Sequence, residues 1–308
     1  MIAMRQRNAS LLAAALTLAA AAAHAQGAAP AAGTAQPDLR KLCEAVSMNP
    51  ADAAEMARRA ECVLSGAIPS NDRLGEAKVL SRAAFAKGEM SGGLLMYLAY
   101  LADPANRYLR NGKIDTEAYQ RLAARSLAER KEQIEAIEAL GTAAGRNHVA
   151  AATLLAGYFH ETVAPRNVSR VGAMSALLQR MGEKSPVVER FGREADAIVK
   201  AGQTKTSVRN FFETYQQAEA VVRAAYESQS DGKRCEKPVL RTVSSGDIAN
   251  AEFLPLEGNL VKDSFLLKGK WTEYWTFDAC GTELPVKVGF AADGAGGATS
   301  DVRFNKGD

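Results

Sequence analysis

Histidine is the side chain best suited to acid–base and metal chemistry near neutral pH, and the chain has three, at positions 24, 148 and 160. His148 and His160 are 12 residues apart on one predicted helix, where they point about 120° apart and cannot share a ligand. The His160-Glu161 pair lacks the second histidine of a zinc-protease motif. We therefore expect structural histidines, no metal and no cofactor.

The usual catalytic signatures are missing. The sequence has no Gly-x-Ser-x-Gly elbow, Walker loop or dinucleotide-binding glycine run. The glycine-rich stretch 294–297 follows a predicted β-turn and opens no helix, which favours a hairpin loop over a phosphate cradle. No catalytic residue is predicted, and we expect a non-enzymatic protein.

Carboxylate pairs of the kind used in acid–base catalysis do occur. They alternate with basic residues on one predicted helix: Glu129 with Glu132, and Glu135 with Glu138, beside Arg130 and Lys131. This mixture is typical of a solvated helix face with compensating charges. A catalytic pair among them stays open, although nothing singles one out.

The four cysteines fall into two separate pairs, Cys43 with Cys62 and Cys235 with Cys280. Four cysteines allow three connectivities. Because each local pair lies within one predicted domain, we favour disulfides 43–62 and 235–280 over four free thiols. Zinc fits poorly, since no close C-x-x-C spacing is present and histidines are scarce.

The N-terminus has the pattern of a cleavable secretory signal over residues 1–25. Arg5 and Arg7 precede an apolar run at 11–23, and Ala23-His24-Ala25 supplies small residues at the cleavage positions. The run is shorter than the roughly 20 residues that a membrane anchor needs. Residues 26–38 contain no large apolar side chain and are predicted to be a disordered leader.

Charge and hydropathy limit the partners. The chain has 38 Lys and Arg against 35 Asp and Glu, and losing Arg5 and Arg7 with the signal would leave 36 against 35. This near-neutral balance gives no argument for a nucleic-acid partner or an anionic membrane surface. We expect no transmembrane segment after cleavage and a periplasmic or secreted location, where disulfides persist.

The fold class is predicted to be mainly α, with a helical-repeat domain at 39–230 followed by a small antiparallel β-domain at 233–308. In the first part, apolar residues recur at helical spacing, and helices of typical length give roughly seven to nine of them. Asn49-Pro50 and Ser185-Pro186 have the pattern of helix starts. After Gly232, alternation replaces the helical period.

One predicted strand carries large side chains on a single face. Trp271, Glu273, Trp275 and Phe277 share that face, and Tyr274 lies on the other. We favour the tryptophan face as core over an exposed binding patch, because the β-domain has few other large apolar residues. Glu273 would be out of place there unless it lay at the sheet edge.

Self-comparison indicates internal repeats. Residues 84–88 align with 143–147 at an offset of 59, and 68–71 align with 164–167 at an offset of 96. The offsets differ by 37, close to the length of a two-helix repeat. The shorter offset then equals one repeat plus an insertion of about 22 residues, which we place near residues 103–125.

At these positions the sequence resembles the Sel-like branch of the tetratricopeptide-type repeats, over roughly residues 66–182. Three copies carry the resemblance: Gly66, Asn71, Ala77, Arg82-Ala83-Ala84, Gly88 and Tyr100 in the first; Ala143, Ala144, Leu154, Leu155 and Tyr158, with Asn147 replacing the glycine, in the second; and a degenerate third from Asn167 to Met181. The resemblance implies an α-solenoid whose concave surface binds other proteins. Some exported members have disulfide-stapled repeats, and a few are linked to cell-wall-related ligands.

The insertion supplies the candidate binding residues Arg107, Tyr108 and Arg110, in a loop that ends at Asn111-Gly112. Arg and Tyr often anchor interfaces. An ordinary surface loop is the alternative. We expect an exported protein that binds a protein or peptide partner in the cell envelope. The alternative is a small-molecule or cell-wall-fragment binder, or a hydrolase, with its site between the two domains.

Overall fold

The computed structural model describes residues 39–110 and 113–305. The predicted signal peptide, the leader and the Asn111-Gly112 turn lie outside these residues.

Helices precede a small β-sheet, as predicted, with ten α-helices among the described residues rather than seven to nine. They are α1 (Leu39–Glu44), α2 (Ala53–Ser65), α3 (Arg73–Ala86), α4 (Met90–Ala102), α5 (Thr116–Ala123), α6 (Lys131–Gly145), α7 (Val149–Glu161), α8 (Asn167–Arg180), α9 (Pro186–Ala201) and α10 (Val208–Gln229). None of these helices is long and apolar enough to cross a bilayer.

Seven strands complete the described structure. They are β1 (Leu109–Arg110), β2 (Lys113–Ile114), β3 (Val239–Ser245), β4 (Ala249–Phe253), β5 (Leu266–Ala279), β6 (Thr282–Ala292) and β7 (Ala298–Phe304). The first two form a separate hairpin. The other five form an antiparallel sheet in the order β3-β5-β6-β7, with β4 pairing with β5 as well.

Side-chain caps set several helix starts. Ser185 accepts a hydrogen bond from the Val187 N–H at 3.3 Å, directly before Pro186, as the sequence predicted. The start predicted at Asn49-Pro50 is wrong. Helix α2 begins three residues after the proline, because the Asp52 carboxylate accepts from the Glu55 N–H at 2.8 Å and so takes the cap.

Three helix–loop–helix connections share one backbone geometry. Gly88, Asn147 and Gly182 follow α3, α6 and α8, with φ of 90°, 62° and 87°. In each connection, the backbone N–H of the residue after this position donates to the carbonyl five residues earlier. The bonds run from Glu89 to Ala84, from His148 to Ala143, and from Glu183 to Leu178. This left-handed helix end suits glycine, and asparagine is the side chain that tolerates it best.

The chain divides into two compact units. Unit 1 runs up to Leu155 and includes Leu256–Lys262, and unit 2 comprises Ala156–Pro255 and the chain from Asp263. The division falls within α7. The change from helix to strand near residue 232 therefore lies inside unit 2.

Small residues let the helices of unit 1 approach closely. A Cβ added at Gly92 would lie 2.6 Å from the Ser81 carbonyl oxygen of α3, and one at Gly93 would lie 2.7 Å from the Ala139 carbonyl oxygen of α6. Only glycine fits at such distances. A disulfide between Cys43 and Cys62, one of the two pairings favoured on sequence, joins α1 to α2 in this unit.

In unit 2, α10 packs on the sheet through aromatic rings. Phe211 stacks on Trp275 with ring centroids 4.7 Å apart, and Tyr215 lies 5.7 Å from Phe277. Trp271 and Trp275 are buried, which confirms the tryptophan face as core. Cys235 and Cys280 form the second favoured disulfide, and residues 293–297 form the β6–β7 hairpin loop expected there.

Glu273 is fully buried on central strand β5, not at a sheet edge as the sequence suggested. Its carboxylate is accommodated by four donors: the indole N–H groups of Trp271 and Trp275 at 3.0 and 2.9 Å, the Thr204 hydroxyl at 2.8 Å and the Lys205 N–H at 2.9 Å. Burial raises the pKa of Glu273, although these bonds act in the opposite direction. The carboxylate thus fixes the α9–α10 loop onto the sheet.

Substitution at Asn147 tests the shared left-handed geometry. We expect Asn147→Ala to lower the free energy of unfolding by about 1 kcal/mol, because alanine keeps the Cβ strain at positive φ but lacks the short polar side chain that lets asparagine hydrogen-bond locally there. Asn147→Gly removes that strain and should match or exceed the native stability. Urea denaturation followed by circular dichroism measures both, and equal stability of the two variants would contradict the assigned geometry.

Candidate functional site

The predicted insertion is an ordered structure rather than a plain loop. A 3₁₀ turn at Pro104–Asn106 leads into the β1–β2 hairpin, where Leu109 pairs with Ile114 and Arg110 with Lys113. Helix α5 then follows, capped by Asp115, which accepts from the Ala118 N–H at 3.0 Å. The insertion thus presents a short hairpin supported by a helix.

The three candidate binding residues lie close together in sequence on the first half of this insertion. Arg107 is exposed, and Tyr108 is half-buried against Tyr119, with ring centroids 5.2 Å apart in an edge-to-face arrangement. Arg110 is a residue of β1. Ile114 on β2, which pairs with Leu109, is an exposed apolar residue at 60% exposure.

Two arginines that the sequence did not point to anchor the insertion. Arg125 donates to the Asn106 side-chain oxygen at 2.7 Å and to the Ala105 carbonyl at 2.8 Å. Arg130 is buried and donates to the carbonyls of Leu122 at 2.9 Å, Ala123 at 3.1 Å and Arg125 at 3.1 Å. Helix α5 is therefore tied to the start of α6 through guanidinium–carbonyl bonds.

The acidic face of α6 is not simply solvated, which corrects the sequence interpretation. Lys78 of α3 lies between Asp103 at 2.7 Å and Glu132 at 2.6 Å. Arg82, one turn along, forms a two-pronged bond to Glu135 at 2.6 and 2.7 Å. The compensating charges come from the neighbouring helix α3, because Arg130 instead binds carbonyls at the end of α5.

These ion pairs influence protonation. Burial alone would lower the pKa of Lys78, but the hydrogen bonds and charges of Asp103 and Glu132 raise it. The hydrogen bond from Arg82 lowers the pKa of Glu135. Lys78 and Glu135 are therefore both stabilised in their charged forms.

A shallow cleft lies beside these pairs. Its lining comes from three helices, with Lys78, Ser81 and Arg82 from α3, Met96 from α4, and Glu132, Glu135 and Ala136 from α6. Its volume is ≈ 10 Å³, about the room that one water needs. This cleft is too small for an organic ligand.

The two helical histidines have different surroundings. His148 is buried just before α7, where its Nδ1 accepts from the Ala151 N–H at 3.3 Å, and burial lowers its pKa. His160 lies near the other end of α7 between two carboxylates, Glu161 at 3.0 Å and Glu194 at 2.9 Å. Spacing along the chain does not indicate this second arrangement, since Glu194 is on another helix.

The arrangement at His160 does not suit catalysis. Both ring nitrogens are already hydrogen-bonded to carboxylate oxygens, so neither is available to a substrate. Among the described residues, no cluster of three or more His, Cys, Asp or Glu side chains could hold a metal ion.

Comparison of the chain with family models, with curated proteins and with solved structures gave no match.

Removing the buried guanidinium of Arg130 should loosen the insertion. We expect the amides of α5 to exchange about 10- to 100-fold faster in Arg130→Met, since three carbonyls lose a charged donor, an interaction of about 1.5–3 kcal/mol. Arg121→Met is the matched control, because Arg121 is exposed on α5. Hydrogen–deuterium exchange measures both. Equal exchange in the two variants would mean that Arg130 does not hold the helix.

Proposed function

We propose that this is an exported, non-enzymatic interaction protein that binds a protein or peptide partner in the cell envelope through Sel-like helical repeats. The insertion at residues 103–125 supplies the contact surface, with Arg107, Tyr108 and Arg110 as its candidate anchors. The observation that carries the proposal is the anchored insertion, on which Arg107, just before β1, and Ile114 of β2 are both exposed. A surface fixed in advance loses less entropy on binding.

Support for the repeats comes from local geometry. The left-handed residue occupies the family's glycine position at Gly88, and Asn147 adopts the same conformation one copy later. Gly182 adopts it after α8. Buried alanines also correspond between copies: Ala77 and Ala84 on α3, Ala136 and Ala143 on α6. Equivalent helix ends and equivalent small residues are what a repeated two-helix unit requires.

The periplasm, or the medium beyond it, is the proposed location. Two disulfides are consistent with an exported protein, since such bonds persist in oxidising compartments and are rare in the cytosol. The N-terminal signal pattern, which precedes the described residues, points the same way.

The small-molecule and hydrolase alternatives lack a supporting observation. The face where α10 meets the sheet is filled by Phe211, Tyr215, Trp275 and Phe277. The cleft beside Lys78 has room for about one water. No second function is therefore proposed.

Affinity capture from a periplasmic extract tests the proposal, with the chain from residue 26 as bait. A triple variant, Arg107/Tyr108/Arg110→Ala, removes the candidate anchors. Arg107→Glu changes one exposed charge without disturbing packing. The matched control is Arg58/Arg180/Tyr274→Ala, which removes the same side-chain types from exposed positions elsewhere. Circular dichroism checks that each variant is folded.

We expect one specific protein to be retained by the native bait and by the control, and to be lost by at least tenfold with the triple variant. Arg107→Glu should weaken its retention. Equal retention by all baits would mean that the insertion is not the contact surface. If no protein is retained while native mass spectrometry detects a bound small molecule, the interaction proposal is wrong.

A further inference from the structure

His160 joins three helices of unit 2. Its Nδ1 lies 3.0 Å from Glu161 on its own helix, and its Nε2 lies 2.9 Å from Glu194 on α9. Arg209 of α10 lies 2.8 Å from the other oxygen of Glu161. The His160 side chain is 11% exposed, and its ring stacks on Phe191 of α9 with ring centroids 4.5 Å apart.

This geometry determines the charge of the ring. A neutral imidazole has one N–H and can donate to one acceptor only, whereas an imidazolium donates from both nitrogens. Each nitrogen of His160 faces a carboxylate oxygen within 3.0 Å. Two ionised acceptors are satisfied together only when both nitrogens carry a proton.

We propose that His160 is held as an imidazolium between Glu161 and Glu194, and so fastens helix α9 to helix α7 in a pH-dependent way. When the ring loses its proton, one of the two nitrogens becomes an acceptor facing a carboxylate. That contact is then repulsive, and the connection to one helix is lost.

The charged groups around the ring come from all three helices. Glu161 lies on α7, Arg190 and Glu194 on α9, and Arg209 and Glu213 on α10. Arg209 also contacts Glu213 at 2.9 Å, so the guanidinium is shared between two carboxylates. The carboxylates thus outnumber the arginines by one, and the imidazolium supplies the balancing charge.

The direction of the response follows from the pKa of the ring. Burial alone would lower the pKa of His160, but the hydrogen bonds and charges of Glu161 and Glu194 raise it above its usual value. The same interactions lower the pKa of Glu161, although burial opposes this. A group whose pKa rises on folding stabilises the folded state fully below its unfolded value, about 6.5 for histidine. That stabilisation is lost as pH rises through the folded value.

His148 provides an internal reference. Burial lowers its pKa, whereas that of His160 is raised, so the two rings should titrate on opposite sides of about 6.5. In the chain from residue 26 these are the only histidines. Nuclear magnetic resonance of ¹³C-labelled histidine rings follows both, and His148→Gln assigns the signals.

Titration of the ring signals between pH 5 and 9 is the first arm of the test. We expect the His160 signal to titrate above about 6.5 and to move to lower pH in Glu194→Gln, which removes one acceptor charge. A His160 signal that titrates below about 6.5, or that Glu194→Gln leaves unchanged, would overturn the imidazolium assignment.

The second arm is hydrogen exchange of the α9 amides, which measures how firmly α9 is held. The chain with His160 is compared with His160→Gln. Burial raises the pKa of Glu61, in unit 1, to about 7, so both chains also carry Glu61→Gln to remove this second titration. After correction for intrinsic rates, protection of α9 should fall severalfold as pH rises through the His160 titration. His160→Gln should lack that step, and the same step in both chains would refute the pH-dependent link.

Discussion

The close approach of helices in unit 1 is the constraint on which the rest of this structure depends. Aromatic residues make up only 6% of the chain, so few large rings are available to fill the space between the helices of this unit. Glycine and alanine reduce that space instead, and the added Cβ at Gly92 or Gly93 would overlap backbone atoms of α3 or α6. With helices this close, Lys78 and Arg82 of α3 can reach carboxylates on α6. Lys78 also binds Asp103, the residue at which the insertion begins.

Unit 2 differs from unit 1 in that it buries charged side chains. Glu273 receives four hydrogen bonds on the central strand, and His160 lies between two carboxylates on the helical side. Burying an unpaired charge costs several kcal/mol, so each group keeps its place only with its full set of partners. Glu273 thereby fixes the α9–α10 loop, and His160 fixes α9. The connection made by Glu273 is set by hydrogen-bond geometry, whereas the connection made by His160 depends on pH.

Local patterns predicted much of the fold. Alternation placed Trp271 and Trp275 on the core face, turn residues located the 293–297 loop, and the change of period near Gly232 separated helices from strands. What the sequence could not predict depends on partners distant in the chain. Glu273 was recognised as unusual, yet its donors Thr204 and Lys205 come from a loop about 70 residues away. Arg130 was also misassigned, to a solvated face, although its partners are near in the chain: helical spacing does not show that its guanidinium turns back to the carbonyls of Leu122 and Ala123.

Replacing Gly93 by alanine tests the close-packing claim most directly, because two effects oppose each other there. Helix propensity alone would stabilise this variant by about 0.5–1 kcal/mol. Overlap with the Ala139 carbonyl should instead destabilise it by about 1–3 kcal/mol. Gly172→Ala is the control, since its Cβ would meet only Ala195 at an ordinary 3.7 Å, and it should gain stability. A loss of unfolding free energy in Gly93→Ala with a gain in Gly172→Ala is the predicted result, and a gain in both would contradict the account.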